Sequence, residues 1–108
     1  MTLGDLIATL EKADPDKIVP VGFSNPHSYR GIYTDVAFEP TPNVTIGSML
    51  AAARSAVGAT FEGWKGGDFT MNEYTDCWLA REGCTGDQLG PMLLGFIVAS
   101  AVGQEATR

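Results

Sequence analysis

One polar loop combines the side chains best suited to holding a phosphate-bearing ligand. It contains Tyr29, Arg30 and His27, the only histidine of the chain. The planar guanidinium of arginine matches a carboxylate or a phosphate, and tyrosine has both a stacking face and a hydroxyl. We therefore predict that these three residues bind an anion. In the alternative interpretation, Arg30 pairs with Asp35 or Glu39, Tyr29 packs on the edge of a sheet, and His27 caps the loop.

A glycine-containing turn carries a second set of candidate binding residues, Trp64, Lys65 and Thr70. Gly66 and Gly67 let backbone N–H groups approach a ligand closely, and the lysine ammonium can meet an anion. The turn is not a Walker-type phosphate loop, because it has no Gly-Lys-Ser/Thr pattern. In the alternative interpretation it is a hairpin turn whose glycines supply positive φ angles.

Asn72 and Glu73 form the third candidate set. Their hydrogen-bonding groups can hold ribose hydroxyls, as acidic residues do in nucleotide sites. The alternative is a polar turn without a ligand.

Catalytic and metal-binding patterns are weak in this sequence. Cys77 and His27 can be combined into a nucleophilic pair, but Cys77 beside Trp78 in a predicted strand is more simply a core thiol. The two cysteines are seven residues apart, which matches no zinc spacing. We predict no metal site, no cofactor and no catalytic residue.

Short elements must position these candidates. We predict helices at residues 2–14 and 46–57 and strands at 17–23, 31–39, 59–63, 68–71 and 75–81, with loops at 24–29 and 82–90 and a turn at 40–43. Pro20 indicates an edge strand or a bulge, since proline cannot donate to a ladder. Thr2 and Thr45 are predicted N-caps, and Gly58 suits a left-handed helix end. In the predicted strand at 31–39, Ile32, Val36 and Phe38 share the buried face.

The last element has two interpretations. A helix beginning at Pro91 fits the preference of proline for a first helical turn, and a buried strand is the alternative. The order of elements predicts the α+β class: one compact domain at residues 1–103, with a small antiparallel or mixed sheet and two or three helices packed on it. Residues 104–108 are predicted to be a flexible tail.

Charge and composition limit the classes of partner. The chain has 108 residues, of which 44% are hydrophobic, and a formal net charge of −6. This balance argues against general binding to nucleic acid or to an anionic membrane, because both need a basic face. A small anion needs only one or two local cations. Asp5 and Glu11 interrupt the region where a signal peptide would be apolar, which predicts a cytoplasmic protein.

Three segments carry a family resemblance: Asn-Pro-His-Ser-Tyr-Arg-Gly (25–31), Asn-Val-Thr-Ile-Gly-Ser-Met-Leu (43–50) and Gly-Ala-Thr-Phe-Glu-Gly-Trp-Lys-Gly-Gly-Asp-Phe-Thr-Met (58–71). Over most of its length the chain resembles a group of small proteins from bacteriophages and actinobacterial prophages. The resemblance carries no activity and no functional residue with it. By analogy of setting, it implies a decoy that sequesters cyclic nucleotides or cyclic ADP-ribose-type immune signals in the host cytoplasm.

Three functions are compatible with these observations. The first is non-enzymatic capture of a small nucleotide-derived anion, in which neighbouring copies of a homo-oligomer can share a pocket. The second is an interaction protein that inhibits a host protein through an acidic, aromatic-bearing surface. The third is a small hydrolase that uses His27 with a carboxylate or with Cys77.

Overall fold

Three helices and two β-sheets are present in residues 1–63, 65–80 and 86–102, the part of the chain that the computed structural model describes. In chain order the elements are α1 (Leu3–Glu11), β1 (Ile18–Ser28), β2 (Val36–Thr45), α2 (Ile46–Ala56), β3 (Thr60–Glu62), β4 (Asp68–Thr70), β5 (Cys77–Ala80), β6 (Gly86–Gln88) and α3 (Pro91–Ala99). They form one domain, which confirms the predicted α+β class. The last element is a helix that begins at a proline.

The four-stranded sheet is mixed, with the strand order β1-β2-β5-β6. β1 pairs with β2 and β5 pairs with β6 in antiparallel directions, whereas β2 and β5 run parallel. β1 lies at one edge of the sheet, as Pro20 predicts. β3 and β4 form a separate antiparallel hairpin.

All three helices contribute to one apolar core with the sheet. The core consists of Leu3, Leu6, Leu10, Val19, Phe23, Val36, Phe38, Ile46, Met49, Ala53, Ala56, Met71, Cys77, Leu89, Leu94 and Ile97. On β2, Ala37 points to the other face of the sheet, because alternate residues of a strand point to opposite sides. There it packs with Tyr29, Ala80 and Trp78. The helices therefore cover one face of the sheet and leave these rings on the other.

Helix boundaries depend on the predicted capping residues. Thr2 Oγ1 accepts the N–H of Asp5 at 3.2 Å, and the Asp5 carboxylate accepts the N–H of Thr2 at 3.4 Å, so α1 begins with a capping box. Thr45 Oγ1 accepts the N–H of Ser48 at 3.0 Å at the start of α2. Gly58 has a φ of 79° beyond the end of α2. α1 ends at residue 11, three residues earlier than predicted.

The loop predicted at residues 24–29 is wrong, because β1 continues to Ser28. A bulge lies between Ser24 and His27, and Asn25 has a positive φ of 49° there. A bulge places an extra residue on one strand without ending the pairing. The loop-like sequence is therefore an irregular part of a long edge strand.

The turn predicted at residues 40–43 is also wrong, because these residues lie inside β2. β5 pairs with β2 only as far as Phe38. Beyond it, one side of β2 has no ladder, so Pro40 and Pro42 can be accommodated without the loss of a ladder hydrogen bond.

Residues 30–35 form turns instead of the start of the strand that we predicted at 31–39. The N–H of Asp35 donates to the carbonyl of Ile32 at 2.9 Å. Ile32 is exposed, so it does not share the buried face with Val36. The site loop thus follows β1 directly and ends where β2 begins.

Residues 86–88 form β6, so the loop predicted at 82–90 is wrong for that stretch. Trp64, residues 81–85 and residues 103–108 lie outside the described part of the chain. Trp64 as a binding residue and the tail at 104–108 therefore stay predictions.

Candidate functional site

The turn after β1 lies against the β3–β4 hairpin. The rings of Tyr33 and Phe69 meet edge to face, with centroids 5.5 Å apart and planes at 70°. Gly63 is close to both rings, because a Cβ on it would lie 2.8 Å from Phe69 and 3.1 Å from Tyr33. Two segments that were separate candidates in the sequence, one with Arg30 and one with Lys65, are therefore neighbours in the fold.

Glycines determine the shape of the hairpin turn. The N–H of Gly63 donates to the carbonyl of Gly67, and the N–H of Gly66 donates to the carbonyl of Gly63, both at 2.8 Å. Gly66 and Gly67 have φ angles of 96° and 85°, which other residues adopt only with strain. The turn interpretation is confirmed, and Lys65 is exposed on it.

We call the area formed by residues 30–33, 63 and 65–70 the loop–hairpin surface. Arg30 and Lys65 are exposed on it, and the rings of Tyr33 and Phe69 are half-buried in it. Both cations also interact within the protein, so a bound phosphate would share or replace those contacts. The surface combines two cationic side chains, two aromatic rings and a glycine turn.

Tyr29 lies beneath the turn and supports it. Its ring stacks on Trp78 with centroids 4.5 Å apart and planes at 15°, and the residue is only 5% exposed. Trp78 Nε1–H donates to the Asp35 carboxylate at 2.9 Å, and the N–H of Tyr29 donates to the Asp35 carbonyl at 2.9 Å. The ring of Tyr29 thus has no open face for a ligand base in this arrangement.

The side chains of His27 and Thr70, two further candidates, contact residues on neighbouring strands. His27 Nε2 lies 2.9 Å from the Glu39 carboxylate of β2, and its Nδ1 lies 2.9 Å from the carbonyl of Ser28. The hydroxyls of Thr70 and Thr60 are 2.8 Å apart across the hairpin. His27 thus lies within β1 and contacts β2, instead of capping a loop as the alternative interpretation had it.

Asn72 and Glu73 belong to a turn that is attached to the start of α1. Asn72 Oδ1 accepts the N–H of Tyr74 at 2.7 Å, and the Glu73 carbonyl accepts the N–H of Gly4 at 2.8 Å. The hydrogen bonds of this turn thus lie within it and to the start of α1.

The described residues lend no support to a nucleophile–base pair. Cys77 is buried, and burial raises the pKa of its thiol to about 12, so it remains protonated at neutral pH. Both ring nitrogens of His27 lie 2.9 Å from oxygens of the chain, one on the Glu39 carboxylate and one on the Ser28 carbonyl. The same part of the chain holds no group of three metal-ligating side chains.

The outer face of α3 is an exposed apolar surface that the sequence analysis did not identify. Met92 and Phe96 are 83% and 76% exposed. They line a cleft of about 480 Å³ with Asp87, Gln88, Gly90 and Leu93. An all-apolar helix is usually covered on every side. The signal was present in the sequence, since residues 91–99 contain no polar side chain, but it was interpreted as a core element.

Tyr33 and Phe69 were also missed. In the sequence, Tyr33 lay in the strand predicted at 31–39, and Phe69 lay in the strand predicted at 68–71. No sequence signal links two rings 36 positions apart when one of them lies in a turn that was assigned to a strand.

A second cleft lies where the end of α1, the start of β1, the start of α2 and α3 meet. Its volume is about 430 Å³, and we call it the lysine cleft; it is lined by Thr9, Lys12, Ala13, Asp14, Lys17, Ile46 and Val98. None of these residues was a candidate in the sequence analysis.

No helix in the described residues has the length and hydropathy needed to cross a membrane. Comparison with protein-family models, with curated proteins and with solved structures finds no significant match to this chain.

Proposed function

We propose that this protein binds a small phosphate-bearing molecule of the nucleotide class at the loop–hairpin surface and holds it without converting it. The observation that carries the proposal is the contact between Tyr33 and Phe69, because it brings the turn that carries Arg30 next to the hairpin that carries Lys65. Convergence of cations and rings from distant parts of a chain is what recognition of a nucleotide requires.

Each group on the surface has a chemical role in this proposal. Arg30 offers a guanidinium fork to a phosphate, and Lys65 adds a second positive charge. Tyr33 and Phe69 offer ring surface to a base, since stacking accepts any base. Backbone N–H groups of a turn with two positive-φ glycines can approach a phosphate closely, because no Cβ stands in the way.

The ligand that best fits the resemblance to phage proteins is a cyclic nucleotide or a cyclic ADP-ribose-type immune signal. In this account the protein acts in the cytoplasm of the host cell as a sink for that signal. The rings of Tyr33 and Phe69 are only half-buried, so a second copy of the chain would supply a further wall for the ligand.

The proposal includes no catalytic step on the bound ligand. The thiol of Cys77 is buried with a raised pKa, and the ring of His27 is engaged with Glu39 and with a carbonyl. These two observations favour storage of the ligand over hydrolysis.

The test is a binding screen with ligand recovery. A panel of cyclic dinucleotides, cyclic ADP-ribose isomers and ordinary nucleotides is added to the protein, and the melting temperature is measured. A ligand at 100 times its Kd adds about 2.7 kcal/mol to the free energy of unfolding, which raises Tm by on the order of 10 °C. Heat denaturation must then release the ligand intact. The proposal fails if no member of the panel shifts Tm or if the ligand is recovered as a product.

A second candidate function is binding of a protein partner through the outer face of α3. The exposed Met92 and Phe96 favour it, since exposed apolar clusters mark interaction sites. The net charge of −6 selects a partner whose apolar segment is flanked by lysine or arginine, and it opposes self-association through this face.

A basic amphipathic peptide and its charge-reversed counterpart test this alternative. The basic peptide should bind, and Phe96→Gln should weaken its binding at least about tenfold, as expected for an aromatic anchor. Equal binding of both peptides, or no effect of the substitution, would remove the alternative. Dimer formation that Phe96→Gln abolishes would assign the face to a second copy instead.

A further inference from the structure

We infer that the lysine cleft is a second binding site, which takes a small anion with an aliphatic portion. The cleft has about 430 Å³, which lies within the usual range of small-molecule pockets. Its lining includes Lys12 and Lys17 together with the apolar residues Ala13, Ile46 and Val98. An anionic head and an apolar tail match these two parts.

Charge is locally reversed at this cleft. Lys12 and Lys17 contribute two positive charges and Asp14 one negative charge, so the charged lining sums to +1 in a chain of net charge −6. In the described residues, neither lysine has an ion pair or side-chain hydrogen bond. Glu11, the neighbour of Lys12 in sequence, is bound instead to Arg54 at 2.7 Å. The ammonium groups are thus available to an anion from outside.

Backbone hydrogen bonds hold the walls of the cleft in place. The N–H of Ile46 donates to the carbonyl of Lys17, and the N–H of Gly47 donates to the carbonyl of Pro15, both at 3.0 Å. Gly47 permits this approach, because a Cβ on it would lie 3.2 Å from the Pro15 carbonyl oxygen. The loop between α1 and β1 is therefore fixed on the first turn of α2, and a ligand meets a preformed surface.

The helix ends at the cleft do not decide its charge preference. α2 begins there with the positive end of its dipole, and α1 ends there with the negative end. The first N–H groups of α2 already donate to Lys17, Pro15 and Thr45. Selectivity for an anion therefore depends on the two lysines, and each can be removed without touching the core.

The experiment uses hexanoate and hexyl phosphate as probes, with hexanol and inorganic phosphate as the matched single-feature compounds. Binding is measured by NMR titration of the full chain, with the amide shifts of residues 12–17 as the readout. We expect at least one anionic probe to saturate these shifts, and hexanol and inorganic phosphate to bind at least about tenfold more weakly. The better of the two anions identifies the head group as a carboxylate or a phosphate. Hexanol binding as tightly as both anions would overturn the inference, as would failure of both anions to saturate.

The substitutions Lys12→Gln and Lys17→Gln in one chain should lower the affinity for the tighter-binding anion at least about tenfold, since each ammonium–anion contact contributes a charge-assisted hydrogen bond. The pair Lys12→Arg and Lys17→Arg should retain binding to within about threefold, because it keeps the charge. Lys65→Gln, which removes one charge on the hairpin, should change the affinity for this anion less than about twofold. A larger loss with Lys65→Gln than with the double substitution would assign the anion to the hairpin and refute this site, while leaving the proposed function intact.

Discussion

Two regions of this acidic domain each place two cationic side chains beside apolar groups, and they differ in what those apolar groups are. On the loop–hairpin surface, Arg30 and Lys65 accompany the rings of Tyr33 and Phe69. In the lysine cleft, the apolar side chains beside the cations are all aliphatic. Aromatic rings stack on a base, whereas aliphatic walls give a tail no directional contact. On this difference rest the two proposals, a nucleotide at the first region and a simple amphipathic anion at the second.

Removing the two cations of the loop–hairpin surface should have the largest effect, on nucleotide affinity. Arg30→Gln combined with Lys65→Gln should lower the affinity for the nucleotide found in the binding screen by about 100-fold, since a hydrogen bond to a charged group contributes about 1.5–3 kcal/mol. Calorimetric titration measures the loss. The matched control removes two charges from the lysine cleft through Lys12→Gln and Lys17→Gln, and it should change nucleotide affinity less than about twofold. Equal losses in both variants would mean that net charge alone attracts the ligand, and that the two regions do not differ in the ligand that they bind.

The next effect concerns the contact between the turn that carries Arg30 and the hairpin that carries Lys65. Gly63→Ala should lower the free energy of unfolding by about 1–3 kcal/mol, because an added Cβ overpacks the contact between Tyr33 and Phe69. Chemical denaturation measures it. Gly95→Ala is the control, since nothing lies within 4 Å of a Cβ at this position on α3. It should raise stability by about 0.5–1 kcal/mol, as glycine is unfavourable inside a helix.

If Gly63→Ala leaves stability unchanged, the turn after β1 and the hairpin do not pack as described. Nucleotide affinity should fall in the same variant, whereas binding of hexanoate or hexyl phosphate in the lysine cleft should persist. A parallel loss at both regions would point to global unfolding instead of a local change.

A smaller effect tests the role of the rings. Phe69→Leu keeps an apolar side chain in the hairpin and removes the stacking surface, so a ligand with a base should lose about 1 kcal/mol of binding free energy, or about fivefold in affinity. Inorganic pyrophosphate, which has no base, should bind the variant as it binds the parent chain. A similar loss for both probes would show that Phe69 acts through hairpin shape and not through stacking.

The smallest expected effect is at α3. Phe96→Gln should change the free energy of unfolding by no more than about 0.5 kcal/mol, because the side chain is 76% exposed and leaves the core almost untouched. It should also leave nucleotide affinity unchanged if the loop–hairpin surface binds alone. Thermal unfolding and calorimetry measure the two quantities. A loss of nucleotide affinity together with dissociation of a dimer would mean that a second copy completes the site.

Local signals in the sequence predicted the helices well. The signals for helix ends act through contacts within a few residues, so they can be predicted from the sequence alone. They are the capping residues Thr2 and Thr45, the proline at the start of α3 and the glycine after α2. The hairpin turn was equally local, since Gly66 and Gly67 need positive φ angles wherever the turn lies.

Properties that depend on strand partners were not predictable in this way. Pro40 and Pro42 indicate a turn by themselves, and they are tolerated in β2 only because β5 stops pairing at Phe38. In the same way, the bulge at Asn25 keeps β1 paired where the sequence suggests a loop. Both cases depend on which side of a strand lacks a neighbour, and a single sequence does not contain that information.

The types of residue at the candidate site were predictable from the sequence, but the packing partner of each residue was not. Arg30 and Lys65 were selected as cations near glycines and rings, and they are exposed on adjoining segments. Tyr29 was selected as a stacking ring, yet it is buried against Trp78 while Tyr33 takes the outer position. The choice between two tyrosines four positions apart is made by the turn at residues 30–35, which the sequence analysis assigned to a strand.

An NMR titration of the full chain with the best-binding nucleotide shows which of these surfaces holds the ligand. Backbone amide shifts are followed for every assigned residue as the ligand is added. The account predicts saturable shifts at residues 30–33 and 65–70, with the amides of residues 12–17 unaffected. Saturable shifts confined to residues 12–17 or to α3, with residues 30–33 and 65–70 unchanged, would contradict it.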